Sequence, residues 1–403
     1  MEHQLVKAVE HALGWEGANQ LGGTFARGAI ADQQLLARTL SPARMLDLVM
    51  RRGLSNPQVR VFQHGDELHP NKYLSPQVTR RGQSLSMVNM LRLGRLLSAG
   101  ATLVLDQTNV FDPTMEVTCR AWQWWSRERV QANVYLTTGD AAGFDLHFDD
   151  HDVLVLQLSG EKGWEVRGSS RPYPLFRDSD RNDEPSEDIL WAGTMREGDI
   201  MHIPRGHWHR ATRVGQGVDG HSLHVTFGFA KRTGVNWMQW MADWSRDDEV
   251  FRRDLVRQVD SSEEKGQRHE LASAAARLIT SHRPVDYLIA HERETSPGRH
   301  VPFLKTFGPL GSVVCVTEFR PQILERGETV EVVSSGKKIT FTQKALPALG
   351  VLLSGQPVNL SQAANTVGAH VETVAEILVE EQLCAPLTAD LSSGYTGLVT
   401  NAA

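Results

Sequence analysis

The 403-residue sequence predicts a mainly β core, followed by a helical segment and a smaller C-terminal module of mixed elements. Three observations lead to this. Between residues 131 and 229, short runs rich in Val, Leu, Ile and aromatic residues alternate with Gly, Pro and Asp, the pattern of pleated strands and turns. From Trp237 to Ala290 the apolar residues fall at helical spacing, with Arg246, Asp247, Asp248 and Glu249 on a polar face. Beyond residue 300 the pattern changes to short strands and helices, giving expected domains at 1–232, 233–299 and 300–403.

In chain order, residues 5–13 and 33–40 read as short amphipathic helices, and Ser41-Pro42 as the start of a third. Asn56-Pro57 begins a turn into a strand at 59–63, and residues 71–76 are a connection before the polar Arg80-Arg81 segment. A helix is expected at 87–97, a turn at Gly100 and a strand at 102–105. Trp122, Trp124 and Trp125 suit either a peptide cleft or a closed core, and dense aromatic packing favours the core. These N-terminal elements are expected to pack on the β core rather than form a separate module.

The centre of the chain is His147-Phe148-Asp149, just ahead of the apolar run 153–158. In extended backbone His147 and Asp149 point to the same side, because side-chain direction repeats every second residue. A second extended segment, 199–204, leads into Arg205-Gly206-His207-Trp208-His209 and brings another imidazole. Two histidines and one carboxylate with open positions are the facial arrangement of non-haem Fe(II) oxygenases, although the ligand types alone leave zinc and manganese open. His151, His202 and His207 read as supporting or surface residues, and a hydrogen-bonded network in an inert binding protein is the competing interpretation.

The glycine-bounded Gly160-Glu161-Lys162-Gly163-Trp164 and the later Gly198-Asp199…Pro204-Arg205-Gly206…His209 add specificity. With them, residues 133–229 resemble the Jumonji-C cupin dioxygenases, in particular the ribosomal-oxygenase branch. The resemblance implies a double-stranded β-helix, with His147, Asp149 and His209 as ligands of Fe(II). It also implies 2-oxoglutarate as cosubstrate, with its distal carboxylate on Lys162 and Asn133 in its pocket. A lysine can supply a charge-assisted hydrogen bond there, and an asparagine can both donate and accept. His224 and Thr226, on the last core strand, share the face of Ser222 and are further candidates for the pocket. The implied activity is hydroxylation of a protein or peptide side chain, with a ribosomal-protein histidine or arginine as substrate. The alternatives are a small-molecule 2-oxoglutarate oxygenase and a non-catalytic cupin binding protein.

Between core strands, residues 169–197 contain Arg171, Arg177, Asp178, Asp180, Arg181, Asp183, Glu184, Glu187 and Asp188, the composition of a surface insertion. Helices at 271–279 and 285–290 continue the helical segment, which in the resembling family often makes a dimer, so a homodimer is expected. Thr295-Ser296-Pro297-Gly298-Arg299 marks a boundary. The pieces 340–342, 344–353, 360–366 and 371–378 look like a winged-helix module. Lys344 is the sole Lys or Arg from residue 340 onward, so sequence-specific DNA binding by this module is not expected.

Whole-chain properties agree. With 42 Lys/Arg against 48 Asp/Glu the formal charge is −6, which gives no global basic signature for nucleic acid. Cys119, Cys315 and Cys384 are too far apart in sequence to form a disulfide framework, and this favours a reducing cytoplasm. The N-terminus lacks a signal-peptide pattern and no run suits a membrane span, so no membrane partner is expected.

Overall fold

A computed structural model describes residues 1–138, 144–175, 184–212, 220–294, 298–303 and 306–400. Gly143 of the central motif, the charged residues Arg177, Asp178, Asp180, Arg181 and Asp183, and Thr295-Ser296-Pro297 lie outside the described residues. Contacts group the chain into two compact units. One comprises Met1–Ala230, His300–Arg320 and Lys344–Ala403, and the other Lys231–Arg299 with Pro321–Gln343.

Among the described residues, the first unit contains thirteen strands ahead of residue 231: β1 (Ala26–Ala29), β2 (Val59–Gln63), β3 (Asp66–Glu67), β4 (Leu74–Val78), β5 (Ser84–Val88), β6 (Thr102–Leu105), β7 (Arg129–Thr138), β8 (Asp152–Gly160), β9 (Lys162–Ser169), β10 (Ile189–Met195), β11 (Asp199–Ile203), β12 (His207–Thr212) and β13 (His221–Ala230). A large sheet runs β1-β11-β8-β13-β7-β6-β2-β3, a small one β10-β9-β12, and β4-β5 form a ribbon of their own. All of these pairings are antiparallel. The β-rich cupin core expected from the sequence is therefore present.

The period-2 rule explains how the large sheet divides its two faces. On β7, Val130, Ala132, Val134 and Leu136 join the main core, while Asn133, Tyr135 and Thr137 face a cavity. On β13, Leu223, Val225, Phe227 and Phe229 go to the core, and His224 and Thr226 to the cavity. The β8 run shows no polar alternation because both its faces are buried. Leu154, Leu156 and Leu158 pack in the main core, and Val153 and Val155 join Trp164, Val166, Met201 and Ile203 in a smaller inner cluster.

Helices cover the outer face of the large sheet. The helix Pro113–Ser126 starts with Pro after an Asp112 cap whose side chain accepts from Met115 N–H, and it buries Trp122 completely. Trp122 packs on Trp125, Phe227 and Phe229, so truncating it to Ala would cost about 3–5 kcal/mol. Trp124 donates to Thr317 O and Trp125 to Glu10, and none of the three lines the cavity. The core reading holds for Trp122; Trp125 packs half-buried against the core, and Trp124, half-buried, lines a smaller pocket with Trp125, Met1 and Arg320.

The first unit also contains a three-stranded sheet of Val358–Asn359, Ser312–Cys315 and Cys384–Pro386 with the helices Leu346–Leu352, Leu360–Val367, Val371–Glu380 and Ala389–Tyr395. The second unit holds the helices Gly234–Trp244, Ser262–Ser281 and Pro284–Glu292 and a three-stranded meander spanning 322–342. Among the described residues, no helix is long and apolar enough to cross a membrane.

Candidate metal centre and active-site cavity

His147 does not lie in a continuous strand; it forms a single antiparallel bridge with His209. His147 N–H donates to His209 O at 3.1 Å, and His209 N–H to His147 O at 2.7 Å. Asp149 is fixed by its own carbonyl, which accepts from Gly206 N–H at 2.8 Å. Gly206 has φ +81°, and a Cβ there would come within 2.6 Å of Pro174, so this turn requires glycine. Between His207 and His209 the β12–β9 register shifts, a bulge that re-aims the His209 side chain.

The ligand atoms of His147, Asp149 and His209 all lie within 4.8 Å of one another, with His209 Nε2 3.4 Å from Asp149 Oδ2. Nδ1 of His147 is 2.7 Å from Asp145 O, and Nδ1 of His209 is 3.0 Å from His207 O. Carbonyls only accept, so each Nδ1 donates and each Nε2 is left with its lone pair for a cation. Burial pushes the Asp149 carboxyl up, but the surrounding imidazoles, His209 first and then His151 and His147, outweigh it and hold the group well below the usual carboxylate range. Two neutral imidazoles and a carboxylate fit a divalent transition metal on the stated geometry.

The triad lines a cavity of about 410 Å³, and every other candidate from the sequence lines it as well: Asn133, Lys162, His224 and Thr226. Lys162 begins β9 two residues after Gly160, whose φ of +66° brings its backbone so close to β13 that a Cβ would sit 1.9 Å from His221 O. The lysine is 4% exposed. Buried near it, His224 is pushed down to about 3, first by burial and then by the Lys162 charge, so its ring is neutral at physiological pH. A register shift between Leu223 and His224 turns this ring inward, where it stacks on Tyr135 at 4.7 Å and meets the edge of Trp164 at 5.4 Å. Asn133 Oδ1 accepts from Gln107 N–H at 2.9 Å.

Other residues lining the cavity were not among the sequence candidates: Arg60, Phe62, Tyr135, Phe144 and Trp164, with Thr102 and Thr137 sharing a 3.0 Å hydroxyl contact. Tyr135 and Thr137 were accessible to the same reasoning that selected Asn133, since they follow it at period 2 on one strand. Arg60 and Phe62 come from β2, whose position at the cavity only the sheet order reveals. His202 lies away from the triad; its Nδ1 donates to Thr24 O and its Nε2 accepts from Gly22 N–H. His207 supports the site through its carbonyl, and His151 pairs with Asp150 at 3.1 Å.

A β-rich cupin shell with an inward-facing two-histidine, one-carboxylate cluster defines the class. Residues 109–237, about a third of the chain, match the family model described as JmjC domain. It is similar to the bifunctional lysine-specific demethylase and histidyl-hydroxylase NO66 of Dictyostelium discoideum, 32% identical over 130 residues, covering 32% of this chain and 25% of the relative. It is also similar to ribosomal oxygenase 1 of Gallus gallus, 36% identical over 104 residues, covering 25% of this chain and 17% of the relative. The matches thus span a quarter or less of these relatives' length. Among solved structures, Escherichia coli YcfD, described as a ribosomal oxygenase, shares the fold with a TM-score of 0.53 at 14% identity, covering 86% of this chain and 90% of that one. A complex of the same protein with cobalt and 2-oxoglutarate gives a TM-score of 0.52 at 15% identity, with the same coverage.

Proposed function

We propose that this chain is a 2-oxoglutarate- and Fe(II)-dependent hydroxylase of a protein side chain, with a ribosomal-protein histidine or arginine as its substrate class. The observation that carries the reading is the convergence of His147, Asp149 and His209 in the same cavity as the buried Lys162. The similarity to proteins named histidyl-hydroxylase and ribosomal oxygenase supports the chemistry and the substrate class.

His147 Nε2, Asp149 and His209 Nε2 would hold Fe(II), which with 2-oxoglutarate and oxygen supplies the oxidising power to hydroxylate a C–H bond. The carbonyls of Asp145 and His207 fix the two imidazoles in the tautomer that ligates. Asp149, held ionised, offsets part of the cation's charge. The Lys162 ammonium complements the far carboxylate of a dicarboxylate anion, and its burial strengthens that attraction. Neutral His224 adds no second positive charge beside it, while Asn133 and Thr226 offer polar contacts from the same wall. Phe62, Tyr135, Phe144 and Trp164 give the cavity aromatic sides that exclude water.

The same reading extends to assembly. The helical unit exposes Val235, Met238, Trp244, Ile279, Val285 and Leu288, which supports a homodimer. The C-terminal sheet and helices support a winged-helix-like module with a structural or protein-binding role rather than one that reads DNA sequence. All three cysteines are free and buried, in keeping with a reducing cytoplasm.

The test is to incubate the purified protein with Fe(II), 2-oxoglutarate and oxygen in extract from a strain lacking it, then search proteins by mass spectrometry for enzyme-dependent oxygen addition. A site-specific addition on a ribosomal protein, abolished by Asp149→Ala, is the expected result. Oxidation of a metabolite with no modified macromolecule would replace it with a small-molecule activity. Absence of metal and cosubstrate binding would leave a binding protein.

A further inference from the structure

One surface away from the cavity differs sharply in charge from the rest of the chain. The whole sequence carries −6, yet residues 68–105 hold Lys72, Arg80, Arg81, Arg92 and Arg95 and no Asp or Glu. All five cations are exposed, and among the described residues none of them is in an ion pair shown by the structure. Arg80 and Arg81 sit at the tip of the β4-β5 ribbon, Arg92 and Arg95 on the helix Met90–Ser98 that follows it, and Lys72 in the short turn Pro70–Lys72 just ahead of β4. At the ribbon's tip Gly82 N–H donates to Thr79 O at 2.9 Å and Thr79 N–H to Gln83 O at 2.8 Å, with Gly82 at φ +77°. Arg80 and Arg81 are therefore the central residues of the turn, where side chains project into solvent.

The ribbon is firmly held at its base. Tyr73 is buried and its hydroxyl donates to Val59 O at 3.0 Å, while Leu74 and Val88 are buried where the two strands meet the core. Arg92 Nη1 donates to Asn71 O and Leu74 O, and Asn89 caps the helix while its amide reaches Ser75 Oγ at 3.3 Å. Helix charges and ribbon charges are thus carried on one rigid piece.

The kind of partner follows from what accompanies the charge. The strand register puts Pro76, Val78, Ser84 and Ser86 on one face of the ribbon and Ser75, Gln77, Leu85 and Met87 on the other, so its two most exposed aliphatic side chains, Val78 and Leu85, point to opposite sides, while Met90 and Leu91 are exposed on the first turn of the helix. Neither face has an apolar stripe to insert into a lipid surface. Residues 74–110 contain no Phe, Tyr or Trp, so there is no anchor for a protein hot spot and no platform on which unpaired bases stack. The polar side chains there are arginine with hydroxyl and amide donors, the set that contacts phosphate and sugar without reading bases.

We propose that the ribbon and the adjoining helix bind the phosphate backbone of duplex nucleic acid, without sequence preference. The surface is separate from the cavity and does not depend on the hydroxylase reading. The test uses the full chain with labelled RNA and DNA duplexes of about 20 base pairs, followed by fluorescence anisotropy across a KCl series. Four or five neutralised phosphates give a log–log salt slope of about −3.6 to −4.5, and Arg80→Ala with Arg81→Ala makes it shallower by about 1.8. Charge reversal by Arg80→Glu with Arg81→Glu, at an exposed turn where circular dichroism can confirm the fold, weakens binding further. Tighter binding of RNA than DNA would assign the source of the backbone as A-form, and equal binding would assign the backbone alone; both support the proposal. Asp149→Ala leaves the duplex affinity unchanged. The proposal is overturned if the chain does not bind duplex at low salt or if the tip variants bind as tightly as the parent chain. Capture by phosphatidylserine vesicles that displaces the duplex and is lost in the same variants would also overturn it, reassigning the surface to lipid.

Discussion

His147 and His209 exchange both of their backbone hydrogen bonds, N–H to O at 3.1 and 2.7 Å, and bring their rings to 4.4 Å between centroids. The spacing of the two imidazoles is thus set by the main chain before any cation arrives. Asp149 is added to this pair through Gly206 N–H. A site held in this way loses little conformational freedom when it takes up a metal.

Asp149→Ala is expected to remove Fe(II) binding while the cupin shell stays folded, because the two histidines keep their backbone bridge. Since changes in residues that only support a ligand cost 10–100-fold in affinity, loss of the ligand itself should cost at least about 100-fold. An anaerobic titration with Fe(II), or with Co(II) followed by its visible bands, measures this. Wild-type affinity in the folded variant would remove Asp149 from the ligand set.

Lys162→Ala should weaken 2-oxoglutarate binding by about 10–100-fold, the equivalent of one charge-assisted hydrogen bond of about 1.5–3 kcal/mol. Fe(II) affinity should change little, since Lys162 is not in the cluster of ligand atoms. Calorimetric titration of both ligands into the same variant separates the two effects. Equal loss of both would indicate a disturbed fold, and loss of neither would assign the carboxylate to another group.

The site was legible where chemistry and period coincide, and less so where the backbone departs from a regular strand. His147, Asp149 and His209 could be picked out as a facial set by residue type, although the stretch 147–149 is a single bridge and not a strand. The inward aim of His209 and His224 depends on register shifts next to each, which no alternation of residue types announces. The β8 run was recognisable as a buried strand because both of its faces pack. Residues 71–76 read as a connection ahead of a polar Arg80-Arg81 segment, and 87–97 as a helix, whereas 74–88 form the β4-β5 ribbon and the helix begins at Met90; the outer parts of both ribbon faces are solvated and give no apolar alternation. Likewise the Ser262–Ser281 helix extends N-terminal to the expected start, through a charged turn capped by Ser261 that has no apolar face to detect.

Gly160→Ala should destabilise the protein by more than about 2 kcal/mol, because it combines a left-handed φ with a Cβ placed 1.9 Å from His221 O. Pushing Gly160 away from β13 also moves Lys162, two residues on at the start of β9, relative to His224 on β13, so cosubstrate affinity should fall together with the thermal midpoint. Gly14→Ala provides the comparison, since φ there is +66° too but nothing lies within 4 Å of the added Cβ. A midpoint change at Gly160 no larger than at Gly14 would show that β8 and β13 separate easily.

His3 gives an acid-stability prediction that does not involve the metal centre. Its ring is 2% exposed, Nε2 lies 3.4 Å from Thr118 Oγ1, and burial followed by the Arg38 charge pushes it from 6.5 down to about 3. Between those two values the unfolded chain binds a proton at this residue and the folded chain does not. Stability therefore rises with pH across this window and is lost as pH falls from about 6.5 towards 3, at about 1.4 kcal/mol per pH unit from this group. In His3→Gln, which keeps a polar group near Thr118 but does not titrate, the acid limb of the stability profile should be shallower by that amount. Urea midpoints measured at pH values from 7 down to about 4 give the comparison, with the difference between the two proteins isolating His3 from the other titrating groups. Parallel acid limbs would mean that His3 is protonated in the folded protein as readily as in the unfolded one, and that the buried ring is reached by water.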